Sequence, residues 1–436
     1  MFEINGKYTK AKVMIDELEP SCVAQITQMI NHPAFTNPVS IMSDAHSGKG
    51  SVIGFTMEMT DKIIPNVIGV DLGCGCLGFN IGNDPCLEFD LAKIDHQIRR
   101  SVPFGFHLHD ESLIDMKKDF PWHDTNTLAH KFCLSYNEKY GTNIHNEKYD
   151  INYFESLCKR IGTSPSKVSK AVASLGGGNH FCELGKDLYG DYWFTIHTGS
   201  RNLGKCICEY WQNVASKIVK NGKREDFDKR IIEIRQQYTG MDIKYKIKEA
   251  REEFGLDVNV KSELQYLEGE DAYGYLFDML FAQKYAEFNR HHIMLSILKD
   301  LYLDVDTIKE TIETTHNFID FRDFIIRKGA IRSYKGDKML IPFNPRDGIL
   351  ICEGKSNPAW NYSSPHGCGR IMSRSQANKI LTDEQVNNAM EGVFASNKPK
   401  DESPLAYKSA ALIESCIGET VTILNRIKPI MNMKAG

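Results

Sequence analysis

The sequence predicts an α+β fold, a single domain with a strand-rich core and an inserted helical region. Residues 1–205 and those from about 311 onward alternate short runs of Val, Ile and Phe with glycine-rich turns, a pattern typical of strands and tight turns. Residues 206–310 instead space their apolar side chains at i, i+3 and i+4, which indicates amphipathic helices. Because no repeat, low-complexity run or obvious linker divides the chain, we interpret residues 1–436 as one domain.

The elements are expected in the following order. Strands of the first part fall at 39–57, 63–81, 171–184 and 191–200, where β-branched and aromatic residues lie between glycines. Two long helices follow at 211–238 and 270–301, and the charge-rich residues 241–271 predict a further helix and an exposed loop. Strands return at 315–321, 328–343 and 348–370, and a last helix is expected over 381–394.

Composition and charge restrict the classes of function. The 436 residues carry a formal net charge of −4, with 42% hydrophobic and 25% charged residues, which is ordinary for a globular protein. A negative net charge argues against non-specific coating of nucleic acid but leaves room for a local basic groove. The apolar runs are too short to span a membrane, and the first residues do not resemble a secretion signal. Twelve cysteines without disulfide-scaffold spacing then favour the reducing cytoplasm.

The segment VIGVDLGCGC, residues 67–76, places Asp71 and Cys74 close together among glycines. A tight strand exit with a buried thiol would explain it, and so would a metal site that the backbone must approach closely. Histidines in similar surroundings favour the metal site, because each adjoins an apolar run and is expected at a strand end where side chains converge. These histidines are His180, His197, His316 and His366.

One Asp, one Cys and three or four His suit a transition metal. A closed structural zinc site usually has more sulfur, often in CxxC pairs, which this sequence lacks. The donors are too many for one ion, which indicates two metals bridged by the Cys74 thiolate, an arrangement that is more often catalytic than structural. Cys76 is expected only to pack. Eight further histidines are interpreted as surface or core residues: His32, His107, His109, His123, His130, His145, His291 and His292.

Glycines beside Arg and Lys indicate phosphate binding. In SLGGGNH, residues 174–180, consecutive backbone N–H groups could cradle phosphate oxygens. The motifs TGSRNLG and HGCGRIMSRS place Arg201, Arg370 and Arg374 beside the histidines, where guanidinium groups would bind substrate phosphates. The basic run RKGAIRSYKGDK, residues 327–338, is either a further phosphate-binding element or a solvated hairpin. Basic groups next to the histidine motifs suit a substrate that bears several phosphates.

Together the motifs resemble those of the RtcB family of RNA ligases. The similarity runs from about residue 40 onward, through SDAHSGKG, VDLGCGC, LGGGNHF, HTGSRNLG, THNF, RKGA, NYSSPHGCGR and NMKAG. The resemblance implies a single α+β fold, two manganese ions and GTP. It also implies an RNA substrate whose 3′-phosphate or 2′,3′-cyclic phosphate is joined to a 5′-hydroxyl. A helper protein is a further partner that the sequence leaves open.

The resemblance also implies roles for particular residues. It makes His366 the guanylylated residue, and Asp44, in SDAHSGKG, an acid that supports the metal centre. Gly73 and Gly75 would let the backbone turn so that the neighbouring ligands face the same ions. The implied metal ligands are Asp71, Cys74, His180, His197 and His316, of which Asp71 and Cys74 are also catalytic. The implied nucleotide-binding residues are Asn179, His180, Glu183, Asn317, Asn344, His366, Gly367, Cys368, Gly369, Tyr407 and Lys434.

One loop departs from the family pattern. In IPFNPRDG, residues 341–348, Phe343, Asn344 and Arg346 stand where small residues are usual, which bears on nucleotide specificity more than on the chemistry. Two other classes of function remain: a metal-dependent phosphodiesterase without ligation, and a non-enzymatic RNA-binding protein with a structural zinc. His366 and Lys434 favour the ligase, because neither alternative needs them. The sequence therefore predicts an RNA ligase of RNA repair or tRNA splicing.

Overall fold

The computed structural model, which describes residues 1–84, 89–238, 241–253 and 262–435, confirms the α+β class. The strands are β1 (Phe2–Asn5), β2 (Lys10–Val13), β3 (Val39–His46), β4 (Ile53–Glu58), β5 (Gly75–Gly82), β6 (Phe181–Lys186), β7 (Tyr192–Thr198), β8 (Glu310–Thr315), β9 (Asn317–Asp320), β10 (Ile325–Lys328), β11 (Ala330–Arg332), β12 (Lys338–Pro342), β13 (Ile349–Gly354), β14 (Ser363–Pro365) and β15 (Val421–Met433). The α-helices are α1 (Pro20–Ile30), α2 (Pro65–Ile68), α3 (Leu91–Ser101), α4 (Met116–Asp119), α5 (Trp122–Tyr140), α6 (Ile151–Arg160), α7 (Pro165–Ser169), α8 (Arg201–Gln237), α9 (Met241–Glu253), α10 (Gly269–Asp300), α11 (Arg374–Ile380), α12 (Asp383–Ala389) and α13 (Ala410–Ile417).

Two large sheets and one small sheet contain the strands. The first large sheet has six strands in the order β1-β2-β3-β4-β10-β9, and the second has seven in the order β12-β13-β15-β6-β7-β5-β8. The small sheet pairs β11 with β14. Strands β2 and β3 are parallel, and the other strand pairs in the described part of the chain are antiparallel. The chain passes from β8 in one large sheet directly to β9 in the other, so the residue between them lies where the two sheets meet.

Helix α10 packs against both large sheets. Its first half is buried together with residues of the six-stranded sheet, where Tyr275 and Met279 are fully buried. Further along, Ile293 and Ile297 pack in the core of the seven-stranded sheet. A helix enclosed in this way needs apolar residues around most of its circumference rather than on one stripe. Part of the helical region that interrupts the strands therefore belongs to the core.

Helices α8 and α9 form a second apolar cluster of their own. The predicted helix over 211–238 is confirmed, but it begins earlier, at Arg201, directly after β7 and a short turn. Phe227 and Ile234 of α8 pack against Ala250 of α9. The loop expected within 241–271 falls largely on 254–261, outside the described residues. Across the described residues, no helix combines the length and the apolarity that crossing a bilayer would need.

The first part of the basic run, residues 327–331, is buried, whereas Lys335 and Lys338 near its end are exposed. The run was expected to bind phosphate or to form a solvated hairpin, and both interpretations are wrong for its first two residues. Arg327 is fully buried, and its guanidinium donates to Asp323 and to Oγ of Ser363, both at 2.8 Å. The Lys328 ammonium donates to three backbone carbonyls, and burial lowers its pKa to about 7. Arg327 and Lys328 therefore join loops through hydrogen bonds, because the fold brings acceptors to them from distant segments of the chain.

Candidate active site

The predicted metal ligands lie at one edge of the seven-stranded sheet. Four neighbouring strands, in the order β6-β7-β5-β8, are antiparallel to one another, so the starts of β6 and β5 and the ends of β7 and β8 meet there. His180 precedes β6, Cys74 precedes β5, His316 follows β8, and His197 is the last residue but one of β7. The expectation that these residues stand at converging strand ends is confirmed.

Two overlapping groups of side chains could each hold a metal ion. One group is Cys74, His197 and His316, the other is Asp71, Cys74 and His180, and the ligand atoms of each group lie within 4.8 Å of one another. The Cys74 sulfur lies 3.3 Å from Nε2 of His197 and 3.6 Å from Nε2 of His180. Because Cys74 belongs to both groups, its thiolate is placed where it could contact two ions.

Hydrogen bonding and burial keep the imidazoles in the form that binds metal. Nδ1 of His197 donates to the backbone carbonyl of Asn179 at 3.1 Å, which leaves a lone pair on Nε2. Nε2 of His197 and Nε2 of His316 face each other at 3.3 Å. Burial, together with the neighbouring histidines, lowers the pKa of both residues well below the usual value, so both are neutral.

Asp71 and Cys74, two of the three remaining predicted ligands, are also suited to binding a metal ion. Burial raises the pKa of the Asp71 carboxyl, but the facing His180 and Cys74 outweigh that effect and hold the pKa below its usual value. Burial and the neighbouring Asp71 raise the pKa of the Cys74 thiol well above its usual value, and binding of a metal ion is what would deprotonate it. Carboxylate and imidazole suit manganese and the thiolate also suits zinc, so the donor set is consistent with transition-metal ions.

Two glycines bring Asp71 and Cys74 to this edge in different ways. Gly73 has φ +71°, which glycine adopts without strain, and a Cβ there would lie 2.8 Å from Cα of Gln283 in α10. Gly75 lies in the extended strand β5, and a Cβ there would collide with the backbone carbonyl of Thr314 in β8. The predicted turn therefore belongs to Gly73, whereas Gly75 permits the close approach of β8.

His366 lies directly after β14 and beside the ligand cluster. Its ring centroid is 4.6 Å from that of His316. Nδ1 lies 2.6 Å from Oδ2 of the fully buried Asp44, and the same oxygen accepts the backbone N–H groups of His366 and Gly367, each at 3.1 Å. Asp44 thus contacts His366 rather than the metal ligands, although it was expected to support the metal centre. A carboxylate on Nδ1 leaves the lone pair on Nε2, which suits a nucleophile.

A first cavity of about 480 Å³ opens beside His366 and the ligand cluster. Its volume is in the range typical of sites for small molecules. Every predicted nucleotide-binding residue except His180 lines it, including Asn179, Glu183, Tyr407 and Lys434. Phe343 and Asn344 of the divergent loop also line it, whereas Arg346 does not, and Phe343 is buried in the wall.

Glu402 holds one wall of the first cavity together, although no sequence motif indicated it. Its carboxylate is 3% exposed and accepts hydrogen bonds from the Tyr407 hydroxyl at 2.6 Å and the Lys434 ammonium at 2.8 Å. It also pairs with Arg370 at 3.2 Å and with Arg374 at 2.7 Å. These contacts tie four predicted site residues to one buried carboxylate.

Several polar side chains that were predicted to bind nucleotide or phosphate instead form hydrogen bonds within the protein. The amide of Asn317 donates to the backbone carbonyl of Asp71 at 3.2 Å and accepts from the N–H of Gly329 at 2.9 Å, so it fixes the loop that carries a ligand. The Asn344 side chain donates to Asp347 and accepts from backbone N–H groups of its own loop. Arg370 donates to the backbone carbonyl oxygen of Met372 and to Glu402.

Glu183 differs, because part of its carboxyl group is free. Oε2 accepts from the side-chain amide of Asn432 at 2.7 Å. Oε1 is buried and has no hydrogen-bond partner within the described ranges. Burial raises the pKa of Glu183 to about 8, although Asn432 and Lys434 oppose the effect. Near neutral pH this carboxyl is therefore protonated and has an unused polar atom at the wall of the first cavity.

A second cavity of about 1160 Å³ lies on the other side of the ligand cluster. His180 and Arg201 line this cavity rather than the first one, and Asp71 lines both. Gly177 and Gly178, in the predicted phosphate-cradling turn, line the second cavity, and Asn179 lines the first. The glycine turn and Asp71 therefore lie between the two spaces.

Two further residues of the site were not singled out in the sequence. His46 stands in the quoted motif SDAHSGKG and lines the first cavity, and burial lowers its pKa to about 4. Arg290 of α10 is 1% exposed and donates to the backbone carbonyls of Gly73 at 2.8 Å and Thr198 at 2.9 Å. Those carbonyls adjoin Cys74 and His197. The motif could have indicated His46, whereas a buried arginine inside a helical run has no local signal.

Known proteins are similar to this chain over nearly its whole length. The family described as tRNA-splicing ligase RtcB matches residues 25–435. The chain is 25% identical to RNA-splicing ligase RtcB1 of one Escherichia coli strain, over 96% of this chain and 95% of that protein. It is 24% identical to RNA-splicing ligase RtcB of Escherichia coli K12 over the same shares. It is also 24% identical to tRNA-splicing ligase RtcB of Methanococcus maripaludis, over 93% of this chain and 89% of that protein.

Proposed function

The chain belongs to the RtcB family of RNA ligases, and from that premise we propose that it joins RNA 3′-phosphate or 2′,3′-cyclic phosphate ends to 5′-hydroxyl ends through a GMP adduct on His366. RNA repair or tRNA splicing is the process it would serve. The cytoplasm is the compartment we propose, because the cysteines in the described ranges are free thiols, as expected of a reducing environment.

The contact between Asp44 and His366 is the observation that carries this proposal. With Nδ1 2.6 Å from a fully buried carboxylate, the imidazole favours a proton on Nδ1, which leaves the Nε2 lone pair available. A metal-dependent phosphodiesterase or a structural zinc protein would have no use for a histidine oriented in this way beside a cavity of nucleotide size.

The chain's own residues would divide the work as follows. Asp71, Cys74, His180, His197 and His316 would hold two manganese ions, which neutralise charge on a transferring phosphoryl group when bound. Lys434 and the turn at Gly367–Gly369 line the cavity where the GTP phosphates would lie. The free Oε1 of Glu183 would give the nucleotide a hydrogen bond.

His366 would act first. Nε2 attacks the α-phosphorus of GTP, a phosphorus–nitrogen bond forms, and pyrophosphate leaves. The RNA 3′-phosphate, freed by hydrolysis where it was cyclic, then attacks that phosphorus and takes GMP from His366. Finally, the 5′-hydroxyl of the second strand attacks the activated 3′-phosphate, and GMP leaves. The joining phosphate thus comes from the RNA, and GTP ends as GMP and pyrophosphate.

The adduct is tested by the intact mass of the protein after incubation with GTP and manganese. We expect the wild-type chain to gain one GMP, and His366→Ala to gain none while it keeps its manganese. The His366→Ala variant should still join RNA that already carries a 3′-guanylate. His123→Ala is the matched control, because His123 lies on α5 and lines neither cavity. GMP labelling of His366→Ala would exclude His366 as the nucleophile.

The specificity for RNA ends is tested with a radioactive 3′-phosphate. We expect the label to reappear in the new internal linkage when the partner strand has a 5′-hydroxyl, and we expect no joining of 3′-hydroxyl to 5′-phosphate ends. Release of the label as free phosphate during joining would contradict the mechanism. Opening of the cyclic phosphate without joining would indicate a phosphodiesterase, and tight zinc without turnover would indicate a structural zinc protein.

A further inference from the structure

The second cavity contains an aromatic side chain that the site described above does not use. Phe106, at the cavity rim, is fully exposed. Single exposed apolar residues are common on protein surfaces, so exposure alone does not mark a site. Phe106 differs because the same cavity reaches Asp71 and His180 at its other end.

The loop that carries Phe106 is fixed to the residues around the ligand cluster. The N–H of Gly105 donates to the carbonyl of Gly176 at 2.9 Å, and the carbonyl of Gly105 accepts from the Arg201 guanidinium at 2.9 Å. Gly176 begins the glycine turn that leads to His180. The backbone that carries the exposed ring is therefore anchored beside the glycine turn that leads to the ligand cluster.

The wall between Phe106 and the ligand cluster is basic. Lys167 and Lys205 are exposed there, and Arg201 lies deeper. The acids at this wall are Asp71, which belongs to the ligand group, and Asp401 and Glu402, which are paired with Arg374. Lys205 also lies 3.9 Å from the exposed Glu209 on the same helix, a weak surface pair that leaves its ammonium accessible. A chain with a net charge of −4 thus presents accessible lysines at the wall of this cavity.

We propose that the second cavity binds the single-stranded end of the RNA, with a base stacked on Phe106 and the backbone phosphates near Lys167 and Lys205. This inference rests on the proposed function, in which the first cavity takes the nucleotide and the RNA terminus must reach the ligand cluster by another route. Aromatic rings at the edge of a positively charged groove are the usual means of binding single-stranded nucleic acid. A single strand fits better than a duplex, because the internal bases of a duplex are stacked on one another and are not free to stack on the ring.

Binding is measured by fluorescence anisotropy with a labelled single-stranded RNA of about twelve nucleotides that ends in a 3′-phosphate, without GTP. We expect Phe106→Ala to bind about tenfold more weakly than wild type and Phe106→Trp to bind as wild type does. Tyr189→Ala is the control, because Tyr189 is an exposed aromatic in the turn between β6 and β7. Equal affinity of Phe106→Ala and wild type would overturn the proposal.

The charges are tested by the salt dependence of the same binding. Each phosphate neutralised on a single strand contributes about 0.7 to the slope of log K against log salt concentration. The double variant Lys167→Ala/Lys205→Ala should therefore lower the slope by about 1.4, and an unchanged slope would contradict this part of the assignment. Duplex RNA should compete poorly, and equal competition would count against stacking.

A measurement on the unaltered chain guards against a folding defect in the variants. Irradiation of RNA containing 5-iodouridine should crosslink the peptide that contains Phe106, and crosslinks only to residues outside the second cavity would overturn the proposal. GMP labelling needs no RNA, so Phe106→Ala should label as wild type does. If the wild-type chain itself takes no GMP, the proposed function fails, while anisotropy and crosslinking still decide the role of Phe106.

Discussion

Cys74 and Cys76 differ in what surrounds them, although one residue separates them. Cys74 reaches the histidines, whereas Cys76 packs among Phe181 and Trp193. Cys74→Ser should lose manganese from both positions and take no GMP, because a hydroxyl is far harder to deprotonate than a thiol. Cys76→Ser should keep both. Bound manganese and GMP adduct are measured for each variant, and similar losses in the two would show that the cysteine roles are misassigned.

Titration of Glu183 makes the free energy of unfolding depend on pH. Its pKa is about 8 in the folded chain, against the usual 4.5, because of burial. The folded state therefore holds more protons than the unfolded state between about pH 4.5 and 8, so stability falls as pH rises through that range. Glu183→Gln, which cannot ionise, should lose less stability over the same range. Urea unfolding of both chains at pH 5 and pH 8 measures this, and parallel pH profiles would contradict it.

Single site residues could be predicted from the sequence where a short local motif indicates their chemistry. Asp71, Cys74 and the histidines could be found because reactive residue types stand among glycines at the ends of apolar runs. Arg290 and Glu402 could not, because their importance comes from burial against partners that are distant in sequence. Lys328 was misread for the same reason.

Among the elements, helix α10 holds the ends of β5 and β7 together through Arg290. The guanidinium bridges the carbonyls next to Cys74 and His197 and pairs with Glu313 at 2.7 Å. Arg290→Lys has one donor group in place of a planar fork, so we expect manganese affinity to fall about tenfold to a hundredfold. Arg160→Lys is the control, because Arg160 of α6 also pairs with a residue of α10, Asp278, but donates to no carbonyl beside the predicted ligands. Calorimetric titration compares them, and equal affinities would refute a positioning role for Arg290.

The turn at Gly73 lets α10 lie close to the proposed metal ligands. An added Cβ would meet Gln283 and Ala286 of α10 as well as an unfavourable φ, so Gly73→Ala should lose at least about 1–2 kcal/mol of stability and also bind manganese more weakly. Gly141→Ala has a similar φ of +64° and open space around it. Gly141→Ala should therefore lose stability but bind manganese as the wild type does. Unfolding and manganese titrations of both variants separate strain from displacement of the ligands.

Helices and strands could be predicted to the extent that a local pattern of apolar residues and glycines indicates them. The strand ends that carry the ligands follow from apolar runs bounded by glycines. The start of α8 at Arg201 was missed because the glycines of the preceding motif indicated a turn. The central place of α10 depends on packing against two sheets, which periodicity alone does not specify.

At the scale of the whole molecule, the proposed metal centre links distant parts of the chain. Its ligands extend from Asp71 to His316 and come together only in the folded state. A ligand that binds only the folded state stabilises it by about 2.7 kcal/mol at one hundred times its dissociation constant. Manganese at that excess should raise the free energy of unfolding by about this amount relative to chelator. Cys74→Ser should gain little, and an equal gain in both chains would place the stabilising ion elsewhere.

The pairing of β15 with β6 has a consequence for how the protein is made. Asn432 of β15 bonds to Glu183 of β6, and 249 positions separate them in the chain. At about 5–20 residues per second, a ribosome that has produced β6 takes roughly 12–50 seconds to produce its neighbour. Throughout that interval the free edge of β6 can pair with other nascent chains. Yield of the native protein should therefore depend on translation speed and on chaperones that cover this edge.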